Sequence, residues 1–337
     1  MSLKPFFNLL REGRLTPVLG VGAALKPFYK LTWLAAAGES GLLNRLASGP
    51  ATFESLAQGG GTAGQRREAL EAWLQLGVRL KLLNLGAGGY ELRGMANALA
   101  RPENDATLAM VQEVAGLHHK LIADTLPRVR RGELFTLADQ DGELIARSSR
   151  ILEPFQVEAI QEFFPGSGNV RLLEIGCGSG VYLRYAAARN ASLTAVGLEL
   201  QPAVAEMARR NLRGWGLEGR VKVEDGDFRA RPVGELFDIA TLYNNIYYFP
   251  VAERVALLER IASFLKPGGF LLLTTCCQGG SLGAEALNLW GAATSGAGRL
   301  PAEDELVGQL RQAGFGVVKT KSLLPGDKFL AFQAFRG

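Results

Sequence analysis

From Asn169 onward, short apolar runs alternate with amphipathic segments, and this rhythm constrains the fold more than any other feature of the chain. Strand candidates are Val170–Ile175, Leu193–Leu198, Val221–Glu224, Phe237–Tyr243, Phe270–Thr275, Gly316–Leu323 and Phe329–Phe335. Helical patterns lie between them at Tyr182–Ala188, Ala203–Gly214, Ala252–Leu265 and Ala302–Ala313. Strands alternating with helices require crossover connections and hence a parallel sheet covered on both faces. The last two strands are joined only by Leu324-Pro325-Gly326-Asp327-Lys328 and must pair antiparallel. The fold class expected is therefore α/β, a seven-stranded Rossmann-like sheet.

At 337 residues the chain exceeds the roughly 100–200 residues of one domain. Its first half reads differently. Residues 1–30 hold scattered apolar residues and three prolines, an arm or a short helix. Short helices follow at Thr32–Ala37, Gly41–Ala47 and Phe53–Gln58, the last with Thr52 as N-cap. Gly59-Gly60-Gly61 is a breaker, and Gln65–Leu76 is an amphipathic helix that Gly77 is placed to end. Leu82–Leu85 and Tyr90–Leu92 flank Gly86-Ala87-Gly88-Gly89 as a hairpin. Helices followed by a hairpin outline a winged-helix-like, mostly helical domain over residues 1–100. Residues 101–164 read as a helical linker that supplies the substrate-pocket region, and 165–337 as the α/β domain. His118 and His119 are neighbours on a helix, about 100° apart, so they do not jointly grip a metal; lining a pocket and packing remain open for them.

Composition narrows the function classes. Net charge is only +4, and the helix Gln65–Leu76 mixes Arg66 and Arg67 with Glu68 and Glu71, a poor surface for phosphates; no nucleic-acid partner is expected. Three cysteines make no disulfide framework. The apolar run 15–25 imitates a signal peptide, but Pro17, Gly20 and Gly22 interrupt it and no small-residue cleavage site follows. The expectation is a cytoplasmic protein without a membrane or metal partner.

Glycine numbers 42 of 337 residues, and one glycine cluster carries chemistry. Glu174-Ile175-Gly176-Cys177-Gly178-Ser179-Gly180 joins the first α/β strand to its helix, where backbone amides and a helix N-terminus approach a ligand closely. The spacing is G-x-G-x-G rather than G-x-G-x-x-G. Glu174 would repel a pyrophosphate and hold a cationic amino group. Glu199 closes the second strand, where an acid accepts both hydrogen bonds from a ribose diol. Asp227-Phe228 after the third strand offer an acid and an aromatic to an adenine.

These motifs, with Phe237-Asp238 opening the fourth strand and Leu265-Lys266-Pro267-Gly268-Gly269 before the fifth, resemble the class I S-adenosylmethionine-dependent methyltransferases over residues 165–337. The N-terminal half resembles, more in pattern than in residues, the dimerising domain of small-molecule O-methyltransferases. The resemblance implies S-adenosylmethionine as cofactor, a small-molecule substrate and a homodimer formed through the N-terminal domain. It implies that the glycine loop of Gly176, Gly178 and Gly180, with Glu174, packs on the methionine part, that Glu199 takes the ribose hydroxyls and that Asp227 and Phe228 take the adenine, with Leu200 and Tyr243 as further cofactor-binding candidates. In that family a histidine after the fourth strand deprotonates the substrate hydroxyl. Here Tyr247-Tyr248-Phe249 occupies the place. A tyrosine, with a free pKa near ~10, is a poor general base at neutral pH. Tyr247 and Asn244 are therefore the candidates for orienting substrate, on the reading of methyl transfer to a phenol or enol oxygen, with carbon or nitrogen as other acceptors. Two alternatives stay open: a related enzyme using the bound cofactor for a non-methyl reaction, and a winged-helix regulator that senses the cofactor.

Overall fold

The computed structural model describes residues 4–58 and 64–337, so the expected Gly59–Gly61 breaker lies outside the described residues. The chain divides into two compact units, one of residues 1–120 and 140–151, the other of 121–139 and 152–337.

The first unit contains α1 (Lys4–Arg11), α2 (Leu15–Glu39), α3 (Leu42–Ala47), α4 (Phe53–Ala57), α5 (Gln65–Arg79), β1 (Leu83–Gly86), β2 (Gly89–Leu92), α6 (Met95–Leu99), α7 (Asp105–Glu113) and α9 (Gly142–Ser148). A π turn, Val114–His118, joins α7 to α8 (His119–Arg130), which runs on into the second unit. Thr52 caps α4 by accepting from the Ser55 N–H at 3.2 Å. Two expectations are corrected. Residues 15–39 form one helix rather than an arm followed by a short helix, with Pro27 inside it. Gly77 lies inside α5 and does not end it. A Cβ on Gly77 would come within 2.5 Å of the Trp33 ring, which stacks on Trp73 at 4.8 Å. This glycine is therefore a packing requirement. In an exposed helix interior Gly→Ala gains about 1 kcal/mol. Here overpacking reverses the sign, and Gly77→Ala is expected to lose about 1–3 kcal/mol by chemical denaturation.

The second unit is built on one mixed sheet. Its elements are α10 (Glu153–Phe163), β3 (Arg171–Ile175), α11 (Val181–Arg189), β4 (Thr194–Glu199), α12 (Pro202–Gly214), β5 (Val221–Asp225), β6 (Phe237–Tyr243), α13 (Arg254–Ser263), β7 (Leu265–Cys276), α14 (Leu282–Ala293), α15 (Glu303–Gln312), β8 (Phe315–Ser322) and β9 (Phe329–Arg336). Strand order is β5-β4-β3-β6-β7-β9-β8. The five strands from β5 to β7 are parallel, and β9 runs antiparallel to both its neighbours.

Period-two alternation assigns the faces. Leu172, Ala195, Ile239 and Leu272 pack beneath α10, α11 and α12. Leu173, Leu198, Leu242 and Leu273 pack against α13 and α15. Because both faces are buried, these strands read as unbroken apolar runs. The chain leaves β3 toward β4 on one side and later returns to β6 on the other. The topological switch therefore falls at the carboxyl end of β3, where α/β sheets bind ligands.

Strand β7 starts five residues earlier than expected. Lys266-Pro267-Gly268-Gly269 continues it through a register shift opposite Asp238, and a Cβ on Gly269 would press on the Asp238 carbonyl at 2.8 Å. The glycines at 279–280 and 291–298 bracket or enter α14. Ser281 caps that helix. Among the described residues no helix is long and apolar enough to cross a membrane.

Candidate cofactor and acceptor site

At the end of β3 the chain must turn sharply, and three glycines supply left-handed backbone: Gly176 at φ +69°, Gly178 at +54° and Gly180 at +79°. The loop is tied down from both sides. The N–H groups of Gly176 and Cys177 both donate to the Leu198 carbonyl at 2.9 Å. Glu199 then grips the loop and its own turn: Oε2 accepts from the Gly178 N–H at 2.9 Å, and Oε1 from the Gln201 N–H at 3.1 Å. From β6, the Asn245 amide donates to the Ile175 carbonyl at 3.2 Å. A Cβ on Gly176 would lie 2.3 Å from that amide nitrogen, so the first glycine is dictated by Asn245. Cys177 fills the space that Gly197 leaves open, and burial pushes its thiol pKa up.

Glu174 is only 1 % exposed, on the sheet face under α10 and α11. It lies in register with Thr241, and Tyr243 is two residues further along β6 on the same face. Glu174 Oε2 is buried without a hydrogen-bond partner among the described residues, and the Thr241 and Tyr243 hydroxyls are buried on the same face with no partner beyond each other. Desolvation raises the Glu174 pKa well above the usual carboxylate range, and the Tyr243 pKa is raised by the same cause. Buried polar atoms without partners are expensive and call for a ligand group or ordered water.

The remaining cofactor candidates are spread out. Leu200 is 64 % exposed just past β4. Asp227 is held by Arg229, whose Nε lies 2.9–3.0 Å from both carboxylate oxygens, and this keeps its pKa below the ordinary range. Phe228 is buried, edge-on to Phe249 at 6.2 Å.

At the end of β6, Asn244 adopts φ +52°, one of two non-glycine residues with positive φ among the described residues. Its N–H donates to the Thr274 carbonyl at 2.8 Å, while its Oδ1 is buried without a partner. A strained residue at a strand end is a common mark of a functional site. Tyr247 is packed between Tyr248, with ring centroids 5.1 Å apart, and Trp290 of α14, edge-on at 6.2 Å. Leu121, Phe135 and Leu300 complete this apolar cluster. The reading from sequence missed Asn245 as the residue that shapes the glycine loop, and Trp290 as the partner of Tyr247. The first adjoins Asn244 in the singled-out segment, but its contact with Ile175 spans 70 residues. The second sits in a helix obscured by Gly283 and Gly291.

His118 and His119 do part, as their spacing demands. His118 Nε2 pairs with Glu113 at 3.2 Å, and His119 faces the Phe28 ring at 6.4 Å between centroids. Burial pushes the thiols of Cys276 and Cys277 up to about 12, so neither is a thiolate at neutral pH.

The sheet order, the glycine turn at the switch point and the acid ending β4 support a class I S-adenosylmethionine-dependent methyltransferase. A family described as "Methyltransferase domain" matches residues 172–269. The demethylspheroidene O-methyltransferase of Cereibacter sphaeroides is 29% identical over 308 residues, covering 85% of this chain and 77% of that one. The ubiquinone biosynthesis O-methyltransferase of Bordetella avium is 32% identical over 131 residues; that match covers 37% of this chain and half of the relative. Among solved structures, mitomycin 7-O-methyltransferase superposes with a TM-score of 0.80 at 21% identity, covering 97% of this chain and 100% of that one. Human N-acetylserotonin methyltransferase gives 0.72 at 20%, covering 95% and 98%. The two solved structures bear on the fold.

The site fits the cofactor of this class. The unpartnered Glu174 Oε2 suits a cationic amino group, the Glu199 carboxylate at the end of β4 suits a diol, and the glycine turn leaves room for close backbone approach.

Proposed function

We propose that the enzyme transfers the methyl group of S-adenosylmethionine to an oxygen of a small phenolic or enolic molecule. When bound, the cofactor supplies an electrophilic methyl on a sulfonium. The observation that carries the reading is the segment Asn244–Tyr248. It follows directly on β6 beside the glycine turn, presents amide and phenol groups, and contains no imidazole. Without a strong base there, an acceptor whose hydroxyl ionises readily needs alignment and exclusion of water more than proton abstraction. The similar proteins with curated names act as O-methyltransferases, which supports oxygen over carbon or nitrogen. Cofactor carrying a labelled methyl group, incubated with a panel of hydroxylated aromatic acceptors, tests this: label must enter product. Cofactor consumption with unlabelled product would favour the non-methyl reaction that the absent histidine leaves open. Tyr247→Phe is expected to lower kcat/KM for the acceptor about tenfold, a loss of roughly 1.4 kcal/mol for one orienting hydrogen bond. Unchanged turnover would rule out a role for the hydroxyl.

We further propose a homodimer formed through the N-terminal helices, in the cytoplasm. Helix α2 buries only residues of its last two turns, from Trp33 to Ala37. Along its outer length Val18, Leu19, Val21 and Phe28 are exposed, as are Phe6, Phe7 and Leu10 of α1. An apolar surface of this extent marks an interface, and a second copy covers it by the commonest symmetry. The three cysteines are free thiols, in keeping with a reducing compartment. Sedimentation should give twice the chain mass. Leu19→Glu combined with Val21→Glu should give the monomer, and a monomeric parent would overturn the dimer.

A further inference from the structure

Arg254, the first residue of α13, is completely buried at 0 % exposure. A cation is poorly placed there, because the helix N-terminus carries the positive end of the macrodipole. Among the described residues no carboxylate lies within ion-pair distance of it. Glu305 acts on it only through space and is itself held by both terminal nitrogens of Arg299. Desolvation pushes the Arg254 pKa down to about 10, which still leaves it charged at neutral pH. A buried, unpaired guanidinium costs stability, so its retention calls for a role.

Its bonds show what it joins. Nε donates to the Phe249 carbonyl at 3.3 Å, and Nη2 donates to the Arg299 carbonyl at 2.5 Å. The first carbonyl belongs to the aromatic segment after β6, the second to the loop 294–301 after α14. The same seam is closed by glycine. The Gly298 N–H donates to the Tyr247 carbonyl at 2.9 Å. A Cβ on Gly298 would lie 2.5 Å from the Phe249 carbonyl oxygen and 2.8 Å from Arg254 Nη2. A Cβ on Gly291 would lie 2.3 Å from the Gly298 carbonyl oxygen, so the loop also rests directly on the helix that carries Trp290.

We infer that Arg254 is a positioning residue that fastens loop 294–301 to the Tyr247–Phe249 segment and so fixes the Tyr247, Tyr248 and Trp290 rings against which the methyl acceptor is held. The inference rests on the acceptor-side role proposed for the segment that carries Tyr247. Arg254 itself is sealed from solvent and touches no reacting atom.

Hydrogen exchange of the full-length protein, read by mass spectrometry, tests the fastening without knowledge of the acceptor. Arg254→Met should speed exchange at least 30-fold in peptides covering 246–249 and 294–301 and leave β3 and β4 peptides unchanged. Arg254→Lys, which offers a single donor nitrogen in place of the two that Arg254 uses, should fall between. The affinity for S-adenosylhomocysteine should stay within twofold of the parent. With the acceptor found by label transfer, Arg254→Met should raise its KM at least tenfold at unchanged cofactor KM. Should Arg254→Met not fold, Gly298→Ala wedges the same seam with the arginine in place and should give the same local pattern. Exchange within threefold of the parent in both peptides, or acceleration spread evenly over the sheet, would overturn the assignment, as would an unaltered acceptor KM. Tyr247→Ala separates the two readings. If it is silent while Arg254→Met raises KM, the role given to Tyr247 fails and the positioning by Arg254 stands.

Discussion

Replacing Glu199 with alanine is expected to weaken binding of S-adenosylhomocysteine by at least a hundredfold while leaving the protein folded. The carboxylate does two jobs at once. In the structure it already accepts from the N–H groups of Gly178 and Gln201, which fixes the middle of the glycine turn relative to β4. Its remaining lone pairs are available to hydroxyl donors at the switch point. Hydrogen bonds to a charged group are worth about 1.5–3 kcal/mol each, and roughly 1.4 kcal/mol is tenfold in affinity. Losing two such interactions on the ligand, or one and the loop that presents it, reaches two orders of magnitude. Glu199→Gln retains one acceptor oxygen but turns an amide donor toward a backbone N–H, so a tenfold loss or more is expected. Calorimetric titration decides it: if Glu199→Ala binds as tightly as the parent, the ribose-side assignment is wrong.

How far this site could be read from sequence follows from the range of the interactions that make it. Gly176, Gly178 and Gly180 are legible because a tight turn after a strand is a local demand on backbone dihedrals, written in consecutive residues. Strands β3, β4, β6 and β7 are legible because burial on both faces leaves apolar runs between polar turns, and the edge strand β5 by the alternation of Val221 and Val223 with polar residues. Helix α2 is not, because Pro17, Gly20, Gly22 and Pro27 are local breakers by pattern and yet lie within one continuous helix. Helix α14 is hidden for the converse reason. Gly291 is set by a carbonyl of residue 298 packed across it, a contact that no local pattern reports. The same holds for Gly77, required by Trp33 from another helix, and for Asn245, whose partner is a carbonyl on β3. Arg254 is the extreme case. On an amphipathic helix an arginine reads as a solvated residue, and only the fold shows it sealed beneath two loops.

The second large effect concerns Glu174 and should appear in stability and binding with opposite signs. Burial raises its pKa in the native protein, whereas in the unfolded chain it stays near the ordinary 4.5. The native state therefore holds a proton that the unfolded chain gives up. As pH rises above 4.5 toward the raised native value, this group alone withdraws stability, by about 1.4 kcal/mol per pH unit. Glutamine has no proton to lose. The stability of Glu174→Gln relative to the parent should consequently rise with pH across denaturant titrations at pH 5.5, 6.5 and 7.5. Binding should move the other way. A ligand ammonium beside the carboxyl favours its ionised form, so binding to the parent should release up to one proton and strengthen as pH rises. In Glu174→Gln the release should vanish and the affinity should fall about tenfold or more, since one charge-assisted hydrogen bond is lost. Calorimetry of S-adenosylhomocysteine binding in buffers of different ionisation enthalpy counts the protons directly. If the variant releases as many as the parent, some other group carries the linkage; if its relative stability does not change with pH, Glu174 is not the buried acid that the fold makes it.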